Sequence, residues 1–549
     1  MSLRRFLLRP IAYLGGLHAS RQAAEFLRAH QRTRQVQDEL LGRLIHTFGD
    51  SEFGRDHGLG KVRSFEDLKA ALPVCGYETY EPYIERVLAG QTQALLPASQ
   101  APLMFSLTSG TTGKPKHIPV TPVFADEMRR GWNIFGIRVL KDHPAAWLRP
   151  ILQISSPMRE CTSPSGLPCG AVSGLLAVTQ KKIVRRMYVV PPEVPTISDA
   201  VSRYYVTLRC GVGRDVSFIT TANPSSTIKL IETGQQHAEQ LIRDVTDGTC
   251  RPPSPIDPDI AGKLRFRRNP ALAKRMEEGI ARDGCLLPRH FWDIAFLANW
   301  TGGTLKLYLR RLRELFGDVP VRDIGLLASE GRFSVPIEDG VAAGIADITS
   351  NLLEFIPAES RDESKPPTLR ADEVEPGREY FLVFSNWTGL FRYNLDDCVR
   401  VVGRYGQSPV IEFLHRGKHT ANITGEKITE HQVVEAMRLA CQQRGLAVQR
   451  FTLQGHFAPV PYYRLRVDEL NGGDPAGLAE ALDANLRQIN IEYESKRKTG
   501  RLGEVRVEVL PSGTLSGEEK LHLAARRGRV EQYKHQYLLT DVVEEEAKG

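Results

Sequence analysis

The sequence predicts an α/β fold, with a large N-terminal domain of β-sheets and helices followed by a small α+β C-terminal domain. Three observations carry that prediction. Strand-like and helix-like runs alternate through the middle of the chain, the pattern of helices laid against a sheet, with ligands at the carboxyl ends of the strands. No internal repeat of solenoid period and no low-complexity tract interrupts it. From residue 416 a new order begins, of the size of a small domain: helix 429–444, strands 449–455 and 461–467, helix 475–492 and strand 504–510. The 549 residues leave ample room for more than one domain around a large core.

The chain opens on a basic and then apolar stretch that has the look of a signal peptide, but Arg9 and Pro10 interrupt it and a helical pattern continues to His30. It reads as an amphipathic first helix packed on the body. No apolar run is long enough to cross a bilayer, so stable membrane insertion is not expected. Residues 20–47 read as helix, with Phe26, Leu27, Leu40, Leu41 and Leu44 on one side. Residues 102–107 read as a short buried strand running into a Gly/Thr turn, with a helix from about Pro122. Strands follow at 151–154 and 216–221, the second leading into a helix opened by Pro224 and Ser225. Residues 323–328 read as a strand ending in the turn Ser329-Glu330-Gly331. The stretches 252–270 and 357–376 are loop-rich surface segments, and strands at 380–384, 398–402 and 410–414 lead to the boundary near Arg416.

Composition narrows the function classes. Hydrophobic residues make up 41% and charged residues 25%, ordinary values that exclude a disordered chain. The charge of +7 comes from 72 Lys+Arg against 65 Asp+Glu, partly in patches at 263–275 and 526–529. No basic element is interleaved with aromatics, which argues against nucleic acid and suits an anionic ligand such as ATP. The eight cysteines are scattered without a CxxC pair, and Cys161 and Cys169 lack zinc-ligand spacing. Free thiols in a reducing cytosol, hence a cytoplasmic protein, are the simplest account.

The strongest motif is Thr108-Ser-Gly-Thr-Thr-Gly-Lys-Pro-Lys116. Gly110 and Gly113 let backbone N–H groups approach a polyphosphate, the hydroxyls supply donors, and two lysines supply charge. The spacing is not that of a Walker A loop. This segment resembles the phosphate loop of the adenylate-forming superfamily (acyl-CoA synthetases, adenylation domains, luciferases). The following His117-Ile-Pro-Val-Thr121 and the upstream Phe53-Gly-Arg and Tyr77-Glu-Thr-Tyr-Glu-Pro-Tyr-Ile-Glu-Arg narrow the resemblance. Together they are similar to the Gretchen Hagen three (auxin-responsive promoter) family of acyl acid amido synthetases, in its bacterial branch, over nearly the whole chain, with residues 250–320 contributing little.

The resemblance implies an adenylate-forming large domain over residues 1–415, binding ATP and the acyl acid, and a small mobile domain over 416–549 carrying a catalytic lysine. It implies that Thr108, Ser109, Gly110, Thr111, Thr112, Gly113 and Lys116 wrap the phosphates. Leu327-Ala-Ser-Glu-Gly331 resembles the second motif, in which Glu330 holds Mg²⁺, a hard ion that prefers oxygen, beside Ser329. Leu390-Phe-Arg-Tyr-Asn-Leu-Asp-Asp397 resembles the third, with Asp397 accepting from the ribose hydroxyls. Here Asp396 replaces the usual glycine; in an extended segment its side chain points away from that of Asp397. Arg416-Gly-Lys418 and the segment 422–430 resemble the hinge, with Arg416 on the nucleotide and Lys418 as pivot. Gln532-Tyr-Lys534 resembles the C-terminal element, with Lys534 balancing charge over the reacting carboxylate and α-phosphate. The implied reaction is ATP-dependent, AMP-forming ligation of a small carboxylic acid to an amine or amino acid. Two alternatives stay open, an acyl-CoA ligase using the same adenylation step and an inactive nucleotide-binding regulator. Trp132, Ile134, Phe135 and Arg138 are acyl-pocket candidates on the helix after the phosphate loop, a stripe that also suits simple core.

Overall fold

The structure is a computed structural model that describes residues 3–107, 116–180, 182–303, 305, 308–417, 420–421, 423–424, 426, 428–458, 460–470, 472–498, 502–525 and 535–544. The chain divides into two compact units. The first comprises residues 1–301, 310–395 and 399–413, and the second 302–309, 396–398 and 414–549.

In the first unit the helix expected over 20–47 is two helices, Leu3–Ala29 and Thr33–Phe48, with a single 3₁₀ turn His30–Arg32 between them. The break has a remote cause. The His30 carbonyl accepts from Gln407 N at 2.8 Å, and the Thr33 and His30 side chains meet the Ser408 hydroxyl at 2.6 and 2.8 Å. Burial of the His30 ring pushes its pKa down to about 4. The second helix buries Leu40, Leu41, Leu44 and Phe48 in the main core.

Three sheets build the body of this unit. A parallel sheet runs Ile151–Gln153, Phe218–Thr220, Phe296–Ala298, Val321–Arg322. The helix Pro224–Gln236 follows the second strand, its start fixed by Asn223 accepting from Ser225 N at 2.9 Å and by a proline whose missing N–H costs nothing there. A second sheet is ordered His117–Val120, Met104–Leu107, Pro168–Gly170, Cys161–Thr162. The third, of seven strands, runs Ser334–Val335, Ala343–Ala346, Ser408–Arg416, Tyr393–Tyr405, Glu379–Asn386, Asn351–Pro357, Leu369–Arg370. The strand expected over 323–328 is only Leu327–Ala328. Asp323 diverts the backbone by accepting from Thr301 N and Gly325 N, both at 2.6 Å, and Gly325 turns with φ 88° against the Ser334 carbonyl. The loop-rich stretch 252–270 carries one short helix, Pro258–Lys263.

In the second unit, helix Glu430–Arg444 starts at a capping box in which Thr429 and Gln432 satisfy each other's N–H groups. The sheet is ordered Arg506–Leu510, Tyr462–Asp468, Phe451–Phe457, Leu538–Glu544. Helix Pro475–Ile489 packs on the same core, and the expected single helix breaks at Asn490 before Ile491–Lys498. The last strand and the helix Thr514–Ala525 carried no sequence expectation.

One buried ion pair stands out in the first unit. The Arg392 and Glu354 side chains are 5% and 0% exposed, and Arg392 Nε and Nη2 donate to the Glu354 carboxylate at 2.8–3.1 Å. Nη1 donates to the Leu72 carbonyl at 2.7 Å, and Nη2 donates also to Thr368 Oγ1 at 3.0 Å. Arg392→Met is expected to cost about 3–5 kcal/mol in urea unfolding, because the Glu354 carboxylate is left buried and unpaired. Arg392→Met combined with Glu354→Leu is expected to recover most of that loss; a double variant as weak as the single one would place the cost in backbone geometry instead.

Candidate active site

Sequence segments far apart meet around residue 393. Cys75 N donates to the Arg392 carbonyl at 2.9 Å and Asn394 N donates to the Cys75 carbonyl at 2.8 Å, a parallel bridge between Cys75 and Tyr393. Helix Tyr77–Leu88 starts two residues later, and within it the Tyr80 hydroxyl accepts from Phe391 N at 3.0 Å while donating to the Phe391 carbonyl. Phe53 packs against Tyr80 and Tyr83, with centroids 4.8 and 5.2 Å away. The upstream motifs are therefore fasteners. They carry Tyr77 to the strand His117–Val120, where its hydroxyl accepts from His117 N at 3.0 Å. Burial, first among several causes, pushes the Tyr77 phenol above its ordinary range. Lys116 lies beside it, its Nζ 3.4 Å from the Tyr393 hydroxyl and 5.2 Å from the Tyr77 ring centroid.

The second motif joins this site from the other side. Ser329 and Glu330 form the two-residue turn of a hairpin in which Leu327–Ala328 pairs with Gly331–Arg332. Ser329 Oγ donates to the Leu107 carbonyl at 3.2 Å, at the end of the strand that runs into 108–115. Asn386 Nδ2 donates to the Glu330 carbonyl at 2.8 Å and to Asn351 Oδ1 at 3.0 Å. A Cβ on Gly331 would stand 3.1 Å from both asparagine side chains, so glycine lets the hairpin seat this closely. Glu330 is 5% exposed, and its negative charge acts on the Tyr77 phenol. Lys116, Ser329 and Glu330 thus belong to one neighbourhood of the first unit. Ile134 and Phe135 are core, and Trp132 lies under the buried guanidinium of Arg332, 4.5 Å from its ring centroid. Burial pushes that guanidinium down to about 10.

Asp396, Asp397 and Arg416 belong to the second unit. Asp397 is 3% exposed and Asp396 is half-buried. Asp396 has φ 60°, so the alternation expected of an extended segment does not hold there; its left-handed conformation is the one glycine adopts freely. The Asp396 carbonyl accepts from Gly417 N at 2.8 Å, which joins the third motif to the hinge. Beyond the hinge, Glu426 is fully buried and accepts from Ile423 N and Thr424 N at 2.8 Å and from the Tyr463 hydroxyl. Burial raises its pKa, but these donors together outweigh it and leave the carboxyl below its ordinary value.

Thr108, Ser109, Gly110, Thr111, Thr112, Gly113, Lys418 and Lys534 lie outside the described residues, as does the Arg416 side chain. Tyr77, Tyr393 and Asn386 carried no role in the sequence reading. Tyr77 and Tyr393 lie inside quoted motifs, but nothing in their spacing pairs them. Among the described residues no cluster of three metal-ligating side chains occurs, and no helix is long and apolar enough to cross a membrane. None of the eight cysteines, all of them described residues, forms a disulfide.

Comparison with known proteins covers nearly the whole chain. Residues 22–321, 345–416 and 431–542 match models of the GH3 (Gretchen Hagen three) family N-terminal, central and C-terminal domains. A jasmonoyl–L-amino acid synthetase, GH3.5, of Oryza sativa subsp. japonica is 25% identical, covering 93% of each chain. A probable indole-3-acetic acid-amido synthetase, GH3.12, from the same plant is 25% identical over 95% of this chain and 94% of its own. The solved structure of the GH3.15 acyl acid amido synthetase has the same fold, with a TM-score of 0.81 at 20% identity over 94% of both chains. These curated relatives are plant proteins and lend no support to a bacterial branch.

Two outcomes follow from the second unit. Asp396→Gly is expected to raise stability by about 1 kcal/mol, seen as a higher urea midpoint at unchanged slope, since glycine takes φ > 0 without strain. A loss would show that the side chain stabilises more than its backbone costs. Glu426 has a depressed folded pKa, so its stabilisation is present above the ordinary value of 4.5 and is lost as pH falls through the folded value. Glu426→Gln is expected to lower stability by about 1–3 kcal/mol at pH 7 and to flatten the acid limb of the stability–pH curve. An unchanged acid limb would contradict this.

Proposed function

The chain belongs to the GH3 family, and on that premise we propose that it activates a carboxylic acid with ATP as the acyl-adenylate and transfers the acyl group to an amine or amino acid. The observation that carries the reading is the neighbourhood of Lys116, Ser329 and Glu330, three residues from two separate motifs fastened by the Cys75–Tyr393 bridge and the Ser329–Leu107 bond. Its relatives' names, jasmonoyl–amino acid and indole-3-acetic acid-amido synthetases, support the amide over a thioester and an amino acid as acceptor.

In the first half-reaction a carboxylate oxygen attacks the α-phosphorus of ATP and pyrophosphate leaves. Positioning and charge neutralisation carry this step. Lys116, Ser109, Thr111 and Thr112, with the backbone of Gly110, Gly113 and Thr108, hold the phosphates in this reading. Asp397 takes the ribose hydroxyls, Arg416 the nucleotide, and Lys534 the charge between carboxylate and α-phosphate. Glu330 fits Mg²⁺: it is one carboxylate on a turn anchored through its own carbonyl, and this ion needs only one or two besides water and phosphate oxygens. When bound, the ion spreads phosphate charge. In the second half the amine nitrogen attacks the acyl carbon, the bond to phosphate oxygen breaks, and AMP leaves. Residues 1–415 form the ATP- and acid-binding part and 416–549 the part that supplies Lys534. A cytoplasmic location belongs to the same reading, in keeping with eight scattered cysteines that form no CxxC pair.

Pyrophosphate exchange into ATP is expected to require an acid and Mg²⁺, with AMP as the nucleotide product. Lys534→Ala is expected to slow exchange by about 10²-fold with ATP affinity retained, the scale of losing one preorganised donor, while Lys520→Ala is tolerated. ADP and phosphate as products would refute adenylation. Free thioester formed from acid, ATP and coenzyme A, with no amide from any amino acid, would favour the ligase alternative.

A further inference from the structure

Tyr77 and Tyr393 perform no step in the reaction above, yet their rings flank the cation of Lys116. We infer that these two tyrosines are positioning residues, an aromatic slot that fixes the Lys116 ammonium before ATP arrives; the inference rests on the adenylation reading. Lys116 Nζ is 5.2 Å from the Tyr77 ring centroid and 6.0 Å from that of Tyr393, and it donates to the Tyr393 hydroxyl at 3.4 Å. Both rings attract the ammonium through their quadrupoles and leave its net charge intact for an anion.

Neither ring is free to turn away. The Tyr77 hydroxyl accepts from His117 N at 3.0 Å, so the ring is tied to the residue next to the lysine it faces. Two residues before Tyr77, Cys75 is bridged to Tyr393 by two backbone bonds, which sets the spacing of the two walls. One turn along the helix, Tyr80 grips both backbone groups of Phe391. The slot is thus built on rigid backbone from three segments. A lysine side chain has four rotatable bonds, and ordering them only when ATP binds costs affinity. A slot that orders them beforehand removes that loss. This gives the Tyr77 and third-motif segments a shared purpose beyond packing.

The test uses the full chain. Tyr77→Leu removes a wall, Tyr77→Phe keeps the ring, and Lys116→Met removes the occupant; each is checked by thermal melt. In acid-dependent pyrophosphate exchange, Tyr77→Leu is expected to raise the KM for ATP about tenfold, between the sizes of an exposed and a desolvated cation–π contact, with kcat changed less. Tyr77→Phe is expected to stay near the parent. In the Lys116→Met background, Tyr77→Leu is expected to add nothing, since the wall then has no cation to hold. A full tenfold loss in that background, or a Phe variant as impaired as Leu, overturns the inference. A second readout does not need activity. Peptide mass spectrometry after a brief pulse of an N-hydroxysuccinimide ester is expected to show Lys116 acylated several-fold faster in Tyr77→Leu than in the parent, with other lysines unchanged. Equal rates overturn the slot whether or not any acid is activated, whereas absence of exchange with every acid tested counts against the adenylation reading alone.

Discussion

The pairing of Arg392 with Glu354 is the constraint on which the first unit's site depends. Arg392 has φ 46°, a conformation an L-residue adopts at a cost, and the hydrogen bonds from all three guanidinium nitrogens hold it there. With the side chain pinned to Glu354 and the Leu72 carbonyl, the backbone of 391–394 is presented outward to Cys75 and Tyr80. That docking sets Tyr77, and Tyr77 with Tyr393 sets Lys116. A buried ion pair is a weak source of net stability, because desolvation offsets most of the attraction. Its effect here is geometric: among the described contacts it fixes one conformation of one turn.

The same logic extends to the second motif. Phosphoryl and adenylyl transfer ask little covalent chemistry of a protein and much positioning of charge, and charges held in advance avoid reorganisation during the reaction. In the proposed reaction Glu330 would be such a charge, and its backbone is held in advance: Asn386 holds its carbonyl, Asn351 holds Asn386, and Gly331 leaves room for both. Ser329 then ties the turn to the end of Met104–Leu107, so the strand that leads toward the glycine-rich segment and the carboxylate turn share one anchor. Buried polar side chains fix such geometry because each unsatisfied group would be costly.

What the sequence made legible is local. The helix expected from about Pro122 starts there, capped by Thr121, and the one expected over 429–444 starts at Glu430, capped by Thr429 and Gln432. The α/β class of the body and the α+β module after it follow from the alternation and order of strand-like and helix-like runs, and the turn at Ser329-Glu330 from the end of one such run. What was illegible is remote. Gln407 N takes the His30 carbonyl and breaks a helix whose apolar pattern runs on unbroken. Asp323 folds back on Gly325 and ends a strand before it starts. Tyr77 meets Tyr393 through a bridge that no spacing encodes, and Asp396 takes a left-handed turn inside a segment that reads as extended. In each case a side chain or backbone group distant in sequence overrides the local pattern.

Attack of the acid's own oxygen on the α-phosphorus of ATP leaves an isotopic record that can be read directly. A carboxylic acid substrate labelled with ¹⁸O in both carboxylate oxygens would be turned over with ATP and an amino acid, and the nucleotide and phosphate products analysed by mass spectrometry. Attack by that oxygen gives AMP carrying one ¹⁸O, unlabelled pyrophosphate, and an amide that keeps the other ¹⁸O. Label in inorganic phosphate together with unlabelled ADP would mean an acyl phosphate and would contradict it.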